Sequence, residues 1–99
     1  MLSRVADALF WMSRYLERAE HVTRLLDVTF HLELDLRSVA SEEQLHWASL
    51  ASILQQPLPE AAPDVVPDLL VHSLTFDLDN PTSIMSCVSR ARSNARSIR

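Results

Sequence analysis

Side chains able to do chemistry are concentrated in two stretches of this 99-residue chain. Between Arg14 and His31, charged residues recur three and four apart, as Arg14–Glu17, Glu17–His21, Glu20–Arg24, Arg24–Asp27 and Asp27–His31. On a helix those spacings make neighbours, and each opposite pair stabilises the helix by about 0.2–0.5 kcal/mol. Such a face is either solvated surface or a polar cluster facing a partner helix or a cleft; in a cleft, Glu17 would act as acid–base beside arginines that hold an anion. The second stretch is the C-terminal one: Arg92, Arg96 and Arg99 follow one another at one-turn intervals, with no acid after Asp79. Planar guanidiniums in that array suit three roles: pairing with the acidic first eighty residues, a phosphate-bearing ligand, or an acidic partner surface.

Other chemistries find little material. Glu43-Gln-Leu-His46 has the Glu-x-x-His form of di-iron bundles, but such sites need two of these units and further glutamates, and only one occurs. His21, His31, His46 and His72 show no His-x-x-x-His spacing, so no metal is expected. Cys87 is the one cysteine, which excludes an intrachain disulfide; beside Ile84, Val88 and Ala91 it reads as a buried thiol and not a nucleophile. Trp11 and Trp47 read as packing residues or interface anchors. The chain has no glycine, and all nine of its basic residues are arginine. That excludes a Walker A loop, a dinucleotide-binding glycine fingerprint and a Schiff-base lysine, and no cofactor is expected.

The elements carrying these residues are helical. A chain without glycine is poorly suited to tight hairpins. From Leu2 to about Val39 no proline interrupts an apolar stripe of Val5, Leu9, Met12, Leu16, Ala19, Leu26 and Phe30, with Ala8, Tyr15 and Val22 on its shoulder. Ser41-Glu-Glu-Gln44 forms a capping box for a second helix, whose apolar face is Leu45, Ala48, Leu50, Ala51, Ile53 and Leu54, and which Pro57 stops. A proline-rich connector over about 57–67 leads to a short third helix, about 64–74. Asn80 as N-cap and Pro81 at N1 then start a last helix with Ile84, Val88, Ala91, Ala95 and Ile98 on one stripe. The expected architecture is an all-α, elongated bundle of about four helices in a single domain, 1–99. The intact periodicity at Arg99 leads to the expectation of a continuation beyond it.

Thirteen acids and nine arginines leave a net charge of −4, and residues 1–80 hold five of the arginines against all the acids. That balance disfavours general nucleic-acid binding. Arg4 and Asp7 break the apolar run a signal peptide needs, and no stretch approaches the ~18 apolar residues of a membrane span. A soluble cytoplasmic protein is expected.

The segment Leu2-Ser-Arg-Val-Ala-Asp-Ala-Leu-Phe-Trp-Met-Ser-Arg-Tyr-Leu-Glu-Arg-Ala-Glu20 resembles the opening of the bacterial Alpha-E family, with Glu17-Arg18 as its Glu-Arg motif. Asp79-Asn-Pro-Thr-Ser-Ile84 and Ala91-Arg-Ser-Asn-Ala-Arg-Ser-Ile-Arg99 resemble two further family segments. Ser93 stands where the family usually has Glu, and His21 where it often has Asn. The resemblance implies an all-helical fold and a setting beside ATP-grasp-type ligase-like proteins, not a reaction. It marks Arg14, Glu17, Arg18, His21, Asn80, Arg92, Asn94 and Arg96 as a candidate polar cluster. The leading expectation is a non-catalytic partner or scaffold of an ATP-grasp-type peptide or amide ligase. The alternatives are an enzyme completed by residues beyond 99, and a structural module that self-associates. The resemblance further implies that Glu17 meets Arg92 or Arg96, so that Glu17 and Arg18 would be more buried than Glu20 and Arg24.

Overall fold

The computed structural model describes residues 2–35, 43–62 and 64–98. Four helices follow in order: α1 (Leu2–Asp35), α2 (Glu43–Ile53), α3 (Val66–Thr75) and α4 (Ile84–Arg96). No strand occurs among the described residues. The expected all-α bundle is present and elongated, 57 × 24 × 16 Å. Its length is essentially that of α1, whose 34 residues rise about 50 Å at 1.5 Å each. The expected continuation of α1 to Val39 and the Ser41 end of the capping box fall outside the described residues.

The buried line of α1 keeps Met12, Ala19 and Leu26 of the expected stripe and is turned toward its shoulder. Ala8, Ala19, Val22, Leu26 and Thr29 are buried, and Met12, Tyr15 and Glu33 are half-buried on the same line. Those positions alternate four and three apart, the spacing of a seam between two packed helices. Val5, Leu9, Leu16 and Phe30 of the expected stripe lie alongside it, exposed. α4 is turned in the same sense: Cys87 and Ala91 are buried while Val88 and Ala95 face out. The physical reason is contact between the two helices, which pack along each other more extensively than any other pair. Ala8, Ala19 and Ala91 are small, so backbones approach closely there, and the bulkier adjacent stripe is left outside. The hydroxyl of buried Thr29 is satisfied within α1, donating to the Leu25 carbonyl at 2.7 Å.

The core lies at the C-terminal half of α1, where Val22 and Leu26 meet Trp47, Leu50 and Ala51 of α2 and Leu70 and Leu74 of α3. Trp47, absent from the expected apolar face of α2, is 1% exposed and packs edge-on against Phe30. Ile53, expected on that face, points outward. Among the described residues the indole N–H of Trp47 has no partner.

Two turns fix how these helices meet. At the end of α2 the Gln56 amide donates to the Ala51 carbonyl at 2.8 Å and the Gln55 amide to that of Ser52 at 3.1 Å. This is the Schellman closure, and it requires a left-handed residue at its turning point. With no glycine in the chain, Gln55 takes φ 55°. Pro57 follows and prevents continuation. The turn before α4 corrects the expected cap. Asn80-Pro-Thr-Ser83 is a β-turn closed by Ser83 N–H to Asn80 C=O at 3.1 Å, with proline in its favoured second position. Asn80 Oδ1 accepts the Thr82 amide at 3.0 Å, so Asn80 organises the turn instead of the helix. The N-cap is Ser83, whose hydroxyl accepts the Ser86 amide at 3.1 Å and donates to the Asp77 carbonyl at 2.7 Å.

Candidate functional site

α4 runs antiparallel to α1: Thr82 lies across from Arg18, His21 and Val22, and eight residues later the Arg90 guanidinium stacks over the Tyr15 ring, 5.7 Å from its centre. This pairing sorts the arginines of α4. At about 100° per residue, Arg92 and Arg96 lie about 200° and 240° round the helix from Arg90. Arg90 therefore flanks the seam on the side of Arg18, and Arg92 and Arg96 project away, exposed.

Of the candidate cluster, Arg14, Glu17, Arg18 and His21 are brought together. They line one open groove of about 400 Å³ on the polar flank of α1. A second hollow of about 300 Å³ shares Arg18 and His21 and is completed by Val22, Ile53, Leu54, Gln55 and Thr82. Arg92 and Arg96 do not join them. Asn94 is half-buried, and its side-chain amide donates to the Arg90 carbonyl of its own helix at 2.9 Å. Asn80 is a latch and not a groove residue: its amide nitrogen donates to Gln56 Oε1 at 2.9 Å and to Ser73 Oγ at 3.1 Å. It thereby ties the connector after α2 and the body of α3 to the turn that delivers Thr82.

The expected burial of the Glu-Arg pair is overturned. Glu17 and Arg18 are exposed, as are Glu20 and Arg24, and among the described residues no ion pair joins Glu17 to an arginine. Glu17 cannot meet Arg92 or Arg96, because the seam turns those two side chains to a different face of α4. Of the expected (i, i+4) pairs, two form: Arg24 to Glu20 at 2.6 Å and His31 to Asp27 at 3.4 Å, both well exposed. Arg14 instead lies over the Phe10 ring at 5.9 Å.

Cys87 closes the back of this region. It is fully buried, with its sulfur 3.7 Å from the Pro81 carbonyl oxygen, as expected of a packed thiol. Burial pushes the thiol pKa up, and the nearby Arg18 and Arg90 guanidiniums oppose that rise. A raised thiol is protonated and unreactive at neutral pH. Among the described residues no group of His, Cys, Asp and Glu side chains is arranged to hold a metal ion, and no described helix is long and apolar enough to cross a membrane.

Sequence reasoning missed Gln55 and Thr82, which line the second hollow, and Arg90, which flanks the seam over Tyr15. Gln55 had a partial signal: many helices end through a left-handed residue, and where one does so before Pro57 in a chain without glycine another residue must supply it. Arg90 had none, since its side of α4 is set by which stripe is buried.

No curated protein and no solved structure matches the chain. The sequence pattern of Alpha-E, described as a predicted alpha-helical domain with a conserved ER motif, matches residues 1–99. The one Glu-Arg dipeptide here is Glu17-Arg18, the pair that borders the groove, and the chain belongs to the Alpha-E family.

Proposed function

We propose that this chain is a helical interaction domain of a bacterial protein that works as the non-catalytic partner of an ATP-grasp-type peptide or amide ligase. One observation carries the reading: the side of the α1–α4 pair away from the groove presents Val5, Leu9, Leu16 and Val88 to solvent along adjacent flanks of both helices. Contiguous exposed apolar surface marks interaction sites, and here it follows the two longest helices. The partnership with a ligase is supported by the resemblance to Alpha-E proteins. Pull-down of the neighbouring ATP-grasp-type protein with the full-length protein tests it. Leu9→Glu with Leu16→Glu should abolish the complex and leave the helical circular-dichroism signal intact. Failure of the wild type to form a complex, or to alter ligase activity, refutes the reading.

A second reading is favoured by the groove itself. Glu17 stands there among Arg14, Arg18 and His21, an acid–base group beside cations suited to an anionic substrate. Loss of a measured activity in Glu17→Gln, with the complex intact, would select it.

A further inference from the structure

We propose that the hollow between Arg18 and His21 of α1, the Gln55 turn and Thr82 binds a small molecule through an oxyanion, either a carboxylate or a phosphate monoester. The walls come from three elements: mid-α1, the end of α2 and the turn before α4. Each contributes a polar side chain that could donate: the Arg18 guanidinium, the His21 ring, the Gln55 amide and the Thr82 hydroxyl. None of the four side chains has a hydrogen-bond partner or ion pair among the described residues. The Thr82 amide is already taken by Asn80 Oδ1, which fixes the residue while leaving its hydroxyl free.

Charge sharpens the case. Thirteen acids are spread over this chain, yet none lines this hollow. Glu17 borders the adjoining groove instead, so a bound anion sits inward, at the Thr82 end. Arg90 lies on the same side of the seam, stacked on Tyr15, and does not line the hollow. Val22 and Leu54 provide an apolar base, against which a guanidinium–oxyanion contact is stronger than in open water. Gln55 stands in a left-handed conformation that glycine occupies without strain. Its side chain lines the hollow. Where a strained backbone position lines a cavity, a ligand-holding role is a physically motivated hypothesis. The inference does not depend on the ligase partnership, whose surface is on the other side of the α1–α4 pair.

The test follows the histidine ring signals by nuclear magnetic resonance in the full-length protein, with His21→Gln identifying the His21 signal. Inorganic phosphate and acetate are titrated separately at constant ionic strength, with sodium chloride as the reference. The expected result is a saturable shift of His21 with one of the two anions. Tighter phosphate binding assigns a phosphate monoester and tighter acetate binding a carboxylate. Arg18→Gln should weaken the affinity about tenfold, the scale of one charge-assisted hydrogen bond. Arg96→Gln, on the far face of α4, should leave it unchanged. Gln55→Gly, which relaxes the turn and removes the amide, gives a second measure and should also weaken binding. A shift no larger than sodium chloride gives, or one that neither Arg18→Gln nor Gln55→Gly diminishes, overturns the proposal.

Discussion

Replacing Asn80 by alanine should unlatch the junction on which the groove depends. The side chain makes three well-placed hydrogen bonds: to Gln56 Oε1 at 2.9 Å, to Ser73 Oγ at 3.1 Å, and from the Thr82 amide at 3.0 Å. A net contribution of about 0.5–1.5 kcal/mol each brackets the loss between roughly 1.5 and 4.5 kcal/mol. Asn80 is half-buried, so water re-satisfies part of what is lost, and a value near 2 kcal/mol is expected. For a chain of this size that lowers the melting temperature by roughly 8–16 °C. Asn80→Asp divides the effect. It keeps the oxygen that accepts the Thr82 amide and removes the nitrogen that donates to Gln56 and Ser73, two of the three bonds, so about two-thirds of the loss should appear. Thermal and urea unfolding followed by circular dichroism measure both variants. A coupling of at least ~0.5 kcal/mol between Asn80→Ala and Gln56→Ala in a double-mutant cycle would locate the tether. An Asn80→Ala protein within 0.5 kcal/mol of wild type, or an Asn80→Asp protein equal to it, would refute the latch.

Gln55→Gly should stabilise the chain by about 0.5–1 kcal/mol: relief of the left-handed conformation is worth about 1–2 kcal/mol and the added flexibility of the unfolded chain takes back part of it; a lower urea midpoint would contradict the Schellman reading. Ser83→Ala should cost about 1–2 kcal/mol in urea unfolding, because the hydroxyl is buried and caps α4, and a neutral result would remove that cap from the account. Glu17→Gln should leave stability within about 0.5 kcal/mol, as befits an exposed carboxylate, so a large loss in the urea midpoint would reinstate a buried ion pair. Burial raises the Cys87 pKa, so the folded chain holds the thiol proton at a pH where the unfolded chain has released it; this stability is complete below the unfolded value and is lost as pH rises through the folded one. Urea midpoints should therefore fall above about pH 9, and the fall should be shallower in Cys87→Ala; equal slopes would sink the assignment.

Much of the architecture was legible before any coordinate. Absent glycine, proline punctuation at Pro57, Pro67 and Pro81, and apolar residues three and four apart leave helices as the economical solution. α3 starts within two residues of its expected place because Pro67 is tolerated only in a first turn. The burial of Cys87 also followed from local pattern. The cap of α4 did not, although the signal was present: Asn-Pro opens a type I turn as readily as it opens a helix, and the choice fell to Asn80's reach toward Gln56 and Ser73, residues 24 and 7 positions away.

Which apolar stripe goes inside was not decidable from the sequence of α1. Two adjacent lines, Val5/Leu9/Leu16 and Ala8/Ala19/Val22/Leu26, both have helical spacing, and both belong to the broad apolar face the sequence shows, Ala19 and Leu26 on its stripe and Ala8 and Val22 on its shoulder. Tertiary packing chose the second, since a seam with alanines at its close contacts lets α4 approach along the length of α1. That rotation decides the functional surface. It turns Arg90 toward Arg18, sends Arg92 and Arg96 to the far side, and leaves Glu17 at an open groove instead of in a buried pair. Composition and spacing determined that this chain is helical and that Glu17-Arg18 lies on the polar flank of α1. What that flank faces was settled by helix packing, because a helix's pattern specifies its faces and only its neighbours specify which of them is covered.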